Sequence, residues 1–411
     1  MPENLSTNLL DIDLNGPEAV SDPYPIHDQF RSQDPVHLSP HNGVWFISRY
    51  DDLISLVRDE RMSSDRFRAM TANLPEEDKE RLAPLIGAVS AWMLMSDPPS
   101  HTRMRTLVSK AFTPRMIETM RSRIQKLVDE MLDQVSENGR MDVIADLTAP
   151  LPSIVIFDLL GVPGKDHVQF KKWSDDIAAG TAGTATVGTQ SERYLLAQNS
   201  FIELSDYFRE KVDELRSHPQ DNLLNAMVEA EEAGDRLTQE ELFANCVLLM
   251  FAGNETTTNL IGNGTLALMQ NPEQIKLLQR DGELIGTAVE ELLRYDSSVQ
   301  KLTRQAITDI EIGGKIIKKG GLVSLGYGAD NRDPEQFSNP NQLDITRSDN
   351  RHVAFAQGIH YCLGAALASL EGQIAIGTLV NRMPDIKLSS EDLEYNPSTV
   401  LRGLKTLRVS F

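Results

Sequence analysis

The sequence predicts a mainly α-helical fold with a small β region, organised as a single domain. Apolar residues recur at helical spacing over most of the chain, most clearly in residues 192–217 and 238–269. Residues 300–326 instead contain glycine pairs and β-branched runs (IEIGGKIIKKGGLVSL), which indicate strands and hairpins. The 411 residues contain no linker with a change of composition across it, so one large domain is expected.

In the first half of the chain the predicted elements are mostly helices. Residues 1–20 are polar and are expected to form a flexible N-terminal arm, which leaves 21–411 as the folded domain. Residues 43–65 indicate a strand followed by a short helix, and residues 66–95 are mixed and rich in methionine. Further helices are predicted at residues 100–138, interrupted near Pro114, and at residues 149–175.

The second half begins with a segment of small residues at 180–191 (GTAGTATVGTQS), between two predicted helices. This segment is either a lid over a site or a plain surface loop, and its composition favours neither. The helical pattern then continues to Tyr295. Residues 328–354 are predicted to be irregular, and a last helix is predicted from about Cys362 to Arg382, followed by short strands.

Composition excludes several classes of protein. The formal net charge is -20 and the pI is about 4.8, which disfavours general nucleic-acid binding. The N-terminus lacks the basic and apolar regions of a secretory signal, and no apolar run reaches the length of a spanning helix. A cytoplasmic protein without a membrane anchor, and a monomer, is therefore expected, with Cys246 and Cys362 kept reduced.

The most informative segment surrounds Cys362, where an irregular loop meets the start of a predicted helix. The helix dipole and free N–H groups at that place favour a thiolate. Gly358 and Gly364 permit close approach to a large flat group, and Phe355 can shield the sulfur from water. A thiolate of this kind suits an iron ligand. An inert buried cysteine, or a nucleophile with only His360 as a nearby base, are the alternatives.

This segment resembles the haem-binding signature of the cytochrome P-450 family, Phe-x-x-Gly-x-x-x-Cys-x-Gly. The matching residues are Phe355, Gly358, His360, Cys362, Gly364 and Ala368. Two positions depart from the commonest bacterial form: Ala356 stands where Gly is usual, and Ala366 stands where Pro is common. The resemblance implies the single-domain cytochrome P-450 fold, a haem b cofactor, and Cys362 as the axial ligand of its iron.

A second motif is the pair Glu291 and Arg294, three residues apart and therefore on one helix face. Alone, such a pair is more often a solvated surface contact of little energetic value. The resemblance implies a structural role, in which the pair holds the irregular loop that carries the iron ligand. Arg347 or His352 is the expected third polar partner.

The third motif is Ala252-Gly253-Asn254-Glu255-Thr256, within the apolar helix predicted from residue 238. Gly253 weakens a helix and Thr256 can bond back to a carbonyl, so a kink and a groove are expected; a tolerated glycine and a self-satisfied threonine are the alternative. The resemblance places this segment across the distal face of the haem. It implies that Ala252 and Gly253 contact haem, that Thr256 stabilises the activated oxygen and that Glu255 relays protons. Asn254 departs from the residues more often found there.

The fourth motif is a set of cationic side chains. His101 and Arg105 lie four residues apart, on one face of a predicted helix. The resemblance places both on the haem propionates, together with Arg304 and His360. Arginine in particular grips carboxylates through two hydrogen bonds. The four motifs occur in the family's order and extend the resemblance from about residue 20 to the C-terminus.

The resemblance implies an oxidoreductase that activates O2 with two electrons and hydroxylates or epoxidises an apolar or amphipathic small molecule, with secondary metabolism as one setting. The chain contains no flavin, Rossmann or iron–sulfur motif, so ferredoxin and ferredoxin reductase are the expected electron donors. A basic patch on the Cys362 side is predicted, because the acidic chain would repel an acidic ferredoxin. A peroxide-driven oxygenase and a haem-based gas sensor are the rivals, and Glu255 with Thr256 disfavours both.

The substrate contacts implied by family topology are spread along the chain. The segments are residues 66–95, 176–195, 249–253, 298–302 and 399–401. Leu249, Gln300 and Val400 are the individual candidates. Gln300 and Lys301 are unusually polar for a pocket wall, so Gln300 is expected to meet a polar group of the substrate and Lys301 to lie at the surface.

Overall fold

A computed structural model describes residues 8–72, 74–181, 190–232, 237–390 and 392–411. The helices are α1 (Pro17–Ser21), α2 (Tyr24–Gln33), α3 (Tyr50–Val57), α4 (Arg66–Thr71), α5 (Glu76–Arg81), α6 (Ala83–Ser90), α7 (Ser100–Ala111), α8 (Pro114–Thr119), α9 (Arg121–Ser136), α10 (Pro150–Leu159), α11 (His167–Thr181), α12 (Gln190–Ser217), α13 (Leu223–Glu232), α14 (Gln239–Gln270), α15 (Pro272–Arg280), α16 (Ile285–Tyr295), α17 (Tyr327–Asp330) and α18 (Ala365–Arg382). The strands are β1 (Val36–Leu38), β2 (Trp45–Ile47), β3 (Met62–Ser63), β4 (Arg140–Asp142), β5 (Leu302–Ala306), β6 (Ile310–Ile312), β7 (Lys315–Ile317), β8 (Leu322–Leu325), β9 (Lys387–Leu388) and β10 (Arg408–Ser410).

The longest helix, α14, forms the middle of the helical part. It begins with a capping box, in which Thr238 and Glu241 satisfy each other's backbone N–H groups, and it ends before Pro272. Nearly all side chains over residues 242–250 and 257–268 are buried, because α10, α12, α16 and α18 pack around it. A helix that is apolar on every side belongs in a core of this kind.

The β part lies beside the helices as a five-stranded sheet in the order β1-β2-β8-β5-β3. Strands β2 and β8 pair in parallel, and the other neighbours are antiparallel. Strands β6 and β7 form a hairpin whose turn residues, Gly313 and Gly314, have φ of 55° and 71°. Positive φ at both central residues is the geometry that favours glycine pairs in tight hairpins. The predicted α-rich fold with a small β region is thereby confirmed.

The N-terminal arm differs from its prediction in the part that the structure describes. Leu9–Asp11 forms a short 3-10 helix, and Leu14 is buried against Ile26 and Phe30. The Nζ of Lys301 donates to the carbonyl of Leu14 at 3.0 Å and to Asn15. Residues 9–20 are therefore packed against the domain, because Leu14 is buried there and the ammonium of Lys301 bonds the arm.

Lys301 was expected at the surface, and the structure places it at the edge of the arm. The residue is partly exposed, and its ammonium makes the two contacts with the arm. Burial is the main reason that the pKa of Lys301 falls to about 8. The sequence pattern missed this because the arm that covers Lys301 is nearly 300 residues away in the chain.

Two further regions bear on the predicted substrate contacts. Residues 66–95, predicted as mixed, are largely helical in α4, α5 and α6, because packing rather than propensity stabilises such short helices. Helices α11 and α12 pack closely against each other. Of the predicted lid, residues 182–189 lie outside the described residues. Within the described part of the chain, every helix is too short or too polar to cross a membrane.

Candidate active site

Cys362 lies in a loop between a single 3-10 turn, Gly358–His360, and helix α18. Its backbone N–H donates to the carbonyl of Phe355 at 2.9 Å, which closes the loop. Gly358 has φ of 71° and Ala356 has φ of 59°, so both residues adopt the left-handed region. The glycine that the family usually has at position 356 would therefore relieve strain that alanine retains.

The electrostatics at Cys362 combine opposing effects. Burial raises the pKa of the thiol, whereas the backbone N–H groups of Gly364 and Ala365 and the charge of Arg105 lower it, and burial prevails. The predicted stabilisation of a thiolate by the helix start is present but is smaller than the cost of burial. An iron cation bound to the sulfur would supply the missing compensation, because a thiolate ligand is stabilised by the metal charge.

A groove interrupts the buried surface of α14. Ala252 is exposed, and Gly253, Glu255 and Thr256 are partly exposed, although the residues on both sides along the helix are buried. A Cβ added to Gly253 would meet no atom within 4 Å, so the groove is open beside it. The Thr256 hydroxyl donates to the Ala252 carbonyl at 2.7 Å, which leaves the lone pairs of its oxygen available to accept.

Glu255 is half-buried on the side of α14 that approaches α11. Burial raises the pKa of Glu255, the nearby Asp175 raises it further, and Lys171 opposes both. A carboxyl group with a raised pKa holds a proton closer to neutral pH, which is what a proton relay needs. The position therefore suits the role implied for Glu255 by the family motif.

Asn254, the unusual residue of this motif, points away from the groove. It is buried, and its side-chain oxygen accepts a hydrogen bond of 2.8 Å from Ser153 on α10. A buried amide and hydroxyl that satisfy each other are a helix–helix contact. Asn254 is thereby explained by packing between α10 and α14.

The four predicted propionate residues come together from three separate parts of the chain. The His101 and His360 rings lie 4.1 Å apart between centroids, and Nε2 of His360 is 2.8 Å from the Ser64 hydroxyl. Burial, together with Arg105 and Arg304, lowers the pKa of His101. The structure thus brings His101, Arg105, Arg304 and His360 into one cluster, and their contact with haem propionates stays a prediction.

Two unpartnered atoms make this cluster suitable for a haem. Nη1 of Arg304 and Nδ1 of His101 are buried and have no hydrogen-bond partner within the described chain. The guanidinium Nη1 is a donor, and the imidazole Nδ1 is a donor in the tautomer that carries its proton there, so both suit carboxylates such as haem propionates. A Cβ added to Gly364 would also meet no atom within 4 Å, so a flat macrocycle has access next to Cys362.

The Glu291–Arg294 pair is fully buried, so the alternative of a solvated surface pair is wrong. Arg294 donates to Glu291 through Nε at 2.7 Å and Nη2 at 2.9 Å, and both side chains are 0% exposed. Arg347 completes the group, with its Nε 3.0 Å from Glu291, whereas His352 bonds Glu290 instead. Arg347 is thus the third partner, as one of the two predictions had it.

The network also ties down the irregular segment that precedes the cysteine loop. Arg294 donates to the carbonyls of Asn331, Pro340 and Gln342, and Glu291 accepts from the backbone N–H of Asp344. One buried ion pair therefore holds four points of a segment that has almost no regular structure. This is the physical basis of the structural role predicted for the pair.

The predicted substrate contacts divide into two groups. Leu249 lies on α14 one turn before Gly253, and Val400 is partly exposed, so both remain candidates. For Gln300, the amide nitrogen donates to the Ser297 carbonyl at 2.8 Å and to the hydroxyl of Tyr24 on α2 at 3.3 Å. Its amide oxygen is buried without a hydrogen-bond partner among the described residues, so a contact with substrate stays a prediction.

Sequence reasoning missed two residues of this region. Arg66, at the start of α4, is buried beside Arg304. Trp92 stacks on Phe251 with ring centroids 5.4 Å apart, next to the groove of α14. The sequence offered one signal for Arg66, which is a cation inside a segment expected to face an apolar substrate. Neither Arg66 nor Trp92 belongs to a motif.

The architecture and the site define a haem-thiolate oxidoreductase. A model of the family "Cytochrome P450" matches residues 90–384. The polyketide biosynthesis cytochrome P450 PksS of Bacillus subtilis is 39% identical over 405 residues, covering 96% of this chain and 97% of the relative. The structure of P450BioI in complex with acyl carrier protein ligated to hexadec-9Z-enoic acid is 38% identical, with a TM-score of 0.87, and covers 96% of this chain and 99% of that one. The myxobacterial cytochrome P450 CYP267B1 in complex with myristic acid is 37% identical, with a TM-score of 0.85 and coverage of 97% and 98%.

The chain belongs to the cytochrome P450 family. It is a single-domain haem b enzyme of the monooxygenase type, which incorporates oxygen into a substrate. The fold, the cofactor and the class of reaction that the sequence predicted are confirmed.

Proposed function

We propose that this enzyme hydroxylates or epoxidises an apolar or amphipathic small molecule of secondary metabolism, with electrons from a separate ferredoxin and its reductase. The observation that supports this most directly is the groove of α14, where Glu255 and Thr256 stand side by side at an opening in a buried helix. A thiolate-ligated haem, when bound, supplies the chemistry of O–O bond cleavage. The protein's own residues provide ligation, protons and exclusion of water.

In this proposal Cys362 provides the thiolate, and the loop around it keeps that thiolate in place. The backbone N–H groups of Gly364 and Ala365 hydrogen-bond the sulfur and stabilise its negative charge. Phe355 packs beside the loop, with its ring 6.3 Å from that of Tyr361, and excludes water from the sulfur. Gly358 keeps the loop tight through its positive φ.

Protons reach the distal groove through Glu255 and Thr256. Burial raises the pKa of Glu255, so its carboxyl group holds a proton that it can give up within the groove. The Thr256 hydroxyl, anchored to the carbonyl of Ala252, positions its oxygen at the groove to accept that proton and donate another. Because Lys171 and Asp175 on α11 lie near Glu255, they connect the carboxyl group to the outside of the protein.

The electron donor docks on the side of Cys362 in this proposal. Ile359 is 51% exposed and Tyr361 is 45% exposed, so the cysteine loop presents apolar surface to solvent. Arg58 is exposed and its Cγ would lie 3.9 Å from a Cβ on Gly358. An apolar surface with an exposed cation beside it suits an acidic ferredoxin and locally offsets the acidity of the whole chain.

The substrate class rests on the relatives and on the groove together. The similar structures contain a fatty acyl group on acyl carrier protein and free myristic acid, and PksS is named for polyketide biosynthesis. Long, flexible apolar chains with one polar end are common to the two ligands. Leu249 and Val400 are the apolar contacts that we assign to such a chain. The proposal includes a cytoplasmic location, in which the free thiols of Cys246 and Cys362 stay reduced.

The test is turnover with a candidate substrate under two electron supplies. A panel of fatty acids and macrolides is first screened by the spin-state shift of the haem. The best binder is then incubated with NADPH, ferredoxin reductase and ferredoxin under isotope-labelled dioxygen, and in parallel with hydrogen peroxide. We expect a labelled monooxygenated product only with the ferredoxin system. Product formed equally well from peroxide would identify a peroxide-driven oxygenase instead, and binding without any product would identify a sensor or carrier.

The docking surface is tested separately. Charge reversal at the surface, Arg58→Glu, is expected to raise the KM for ferredoxin and to leave the binding of substrate unchanged. Lys126→Glu on α9 is the matched control, because Lys126 is also exposed but pairs with Glu130 on its own helix. Equal effects of the two variants would rule out a local docking patch, and the difference should shrink at high salt.

A further inference from the structure

Arg66 is a buried cation that none of the four family motifs explains. It is 7% exposed, at the first position of α4. The only hydrogen bond that its guanidinium group makes among the described residues is long, 3.5 Å from Nη1 to the carbonyl of Ser64. A guanidinium group has five donors, so most of its capacity is unused, and burying a charge in this state is costly.

A second buried guanidinium lies beside it. Arg304 is 3% exposed, and its Nη1 has no partner within the described chain. Burial and the charge of Arg304 lower the pKa of Arg66 to about 9. Two like charges that are both buried repel each other, and such pairs persist in proteins when an anion lies between them.

The protein's own carboxylates near these two residues do not hydrogen-bond their guanidinium groups. Asp97 accepts from the hydroxyl of Ser63 at 2.5 Å and from the N–H of Ser64 at 2.8 Å. Asp65 faces the exposed Arg68 at 3.4 Å through one oxygen, and its other oxygen is buried without a hydrogen-bond partner among the described residues. The donors of Arg66 and Arg304 are therefore left for an anion that a bound molecule supplies.

A third unpartnered group points to the same place. The hydroxyl of Tyr327 is buried and has no hydrogen-bond partner in the part of the chain that is described. Burial raises the pKa of Tyr327, and the charges of Arg304 and Arg66 both act against it, so the phenol lies in the field of both cations. Two guanidinium groups and one hydroxyl donor form a set that matches the two oxygens of a carboxylate.

We propose that Arg66 and Arg304, from α4 and β5, form a buried carboxylate pocket in which Arg66 is a binding residue beyond the four that the family motifs supply. The carboxylate has two possible sources in this enzyme. One is a haem propionate, which Arg304 is already expected to bind. The other is the acid group of an amphipathic substrate, since Arg66 begins a segment predicted to contact substrate. The pocket does not depend on which substrate or electron donor the enzyme uses.

The test compares Arg66→Gln, Arg66→Lys and Arg68→Gln in the holoenzyme. Arg68 is the matched control, because it lies two residues away on the same helix and its side chain is 69% exposed. The first measurement is the rate of haem transfer to excess apomyoglobin. The second is the dissociation constants of dodecanoic acid and of dodecan-1-ol, from their spin-state shifts; these ligands differ only in the carboxylate.

If the propionate is the partner, Arg66→Gln loses haem about tenfold faster, as expected for one charge-assisted hydrogen bond, and leaves the acid-to-alcohol preference unchanged. If the substrate is the partner, haem loss is unchanged and the preference for the acid falls by about tenfold instead. In both cases Arg66→Lys should behave almost like the wild type, because it keeps the positive charge, and Arg68→Gln should show no change. Because the pocket is buried, the effect persists at high salt.

Two results would overturn the proposal. One is an Arg66→Gln enzyme whose haem loss and acid preference both equal those of the wild type. The other is an effect that Arg66→Lys does not reduce, since that would show that the shape of the side chain matters and its charge does not. If the wild type binds dodecanoic acid no better than dodecan-1-ol, the substrate is excluded as the source of the carboxylate. The rate of haem transfer then tests the proposal alone.

Discussion

Polar side chains behind the cysteine loop and polar side chains in the groove of α14 differ in burial and in hydrogen bonding. Behind the loop, Glu291, Arg294 and Arg347 are buried and bonded to each other and to backbone carbonyls. In the groove, Glu255 and Thr256 are partly exposed and make few contacts with other elements. Polar groups that hold structure are satisfied by the protein, whereas polar groups that do chemistry keep bonding capacity for a reacting partner.

The largest expected effect is at the ligand itself. Cys362→Ser should abolish the thiolate-type Soret absorption of the reduced, carbon monoxide-bound enzyme, because a serine oxygen does not replace the thiolate donor. The measurement is the carbon monoxide difference spectrum. Cys246→Ala serves as the control, since Cys246 is buried on α14 and should leave the spectrum unchanged. A thiolate-type spectrum in the Cys362→Ser variant would exclude Cys362 as the ligand.

The next effect tests the support of the loop. Glu291→Gln should destabilise the holoenzyme by about 3–5 kcal/mol, because it leaves buried Arg294 and Arg347 without a negative partner. Chemical denaturation and the yield of haem-loaded protein measure it. The exposed Glu283, just before α16, is the control, and Glu283→Gln should not change stability. A loss no larger than that of the control would show that the ion pair does not hold the segment.

Substitution in the groove of α14 should impair catalysis and leave stability unchanged, unlike substitution at Glu291. Thr256→Ala should retain stability and substrate binding but divert reducing equivalents to hydrogen peroxide, because the hydroxyl at the groove no longer positions protons. The ratio of product to NADPH consumed measures this coupling. Thr265→Ala is the matched control, since Thr265 makes the same bond to its own helix at 2.7 Å but is buried away from the groove. Unchanged coupling in Thr256→Ala would remove its proposed role.

Asp330 is a buried acidic side chain without a hydrogen-bond partner among the described residues, a third case beside the loop support and the groove. Both of its side-chain oxygens lack hydrogen bonds within the described chain, and burial raises its pKa well above the ordinary value. The folded protein therefore holds a proton that the unfolded chain releases. This stability is present below the ordinary carboxyl pKa and is lost as the pH rises toward the folded-state pKa.

Asp330→Asn should accordingly stabilise the protein more at pH about 8 than at pH about 5. Thermal unfolding at both pH values measures the difference. Asp51→Asn, an exposed change on α3, is the control and should show no such dependence. A destabilised Asp330→Asn protein at the higher pH would mean that the carboxylate has a partner that its surroundings do not suggest.

The smallest expected effect is at Ala356. Ala356→Gly should raise the free energy of unfolding by about 1 kcal/mol, because the φ of 59° is strained for alanine and free for glycine. Chemical denaturation measures it. Ala354→Gly, two residues earlier and outside the positive-φ region, should have the opposite sign. Equal destabilisation of both variants would show that the loop relaxes around alanine.

Much of the fold and the site was predictable because the responsible signals are local in sequence. The cysteine signature, the pairs spaced three or four residues apart and the glycine-paired hairpin each lie within a few residues. The remote contacts of Gln300 and Lys301 were missed for the opposite reason. Their partners at Tyr24, Leu14 and Asn15 are nearly 300 residues away, and no local pattern reports a contact of that length.

The sequence by itself determined the family and its haem cofactor, because four short motifs occur in the family's order; it also predicted Cys362 as the iron ligand and His101, Arg105, Arg304 and His360 as propionate contacts. Only the tertiary structure decided that Glu291 is buried with Arg347, that Asn254 packs against Ser153, and that Arg66 lies unpartnered beside Arg304. Burial and the distance between remote side chains determine the cost of a charge. Both depend on how elements far apart in the chain pack together.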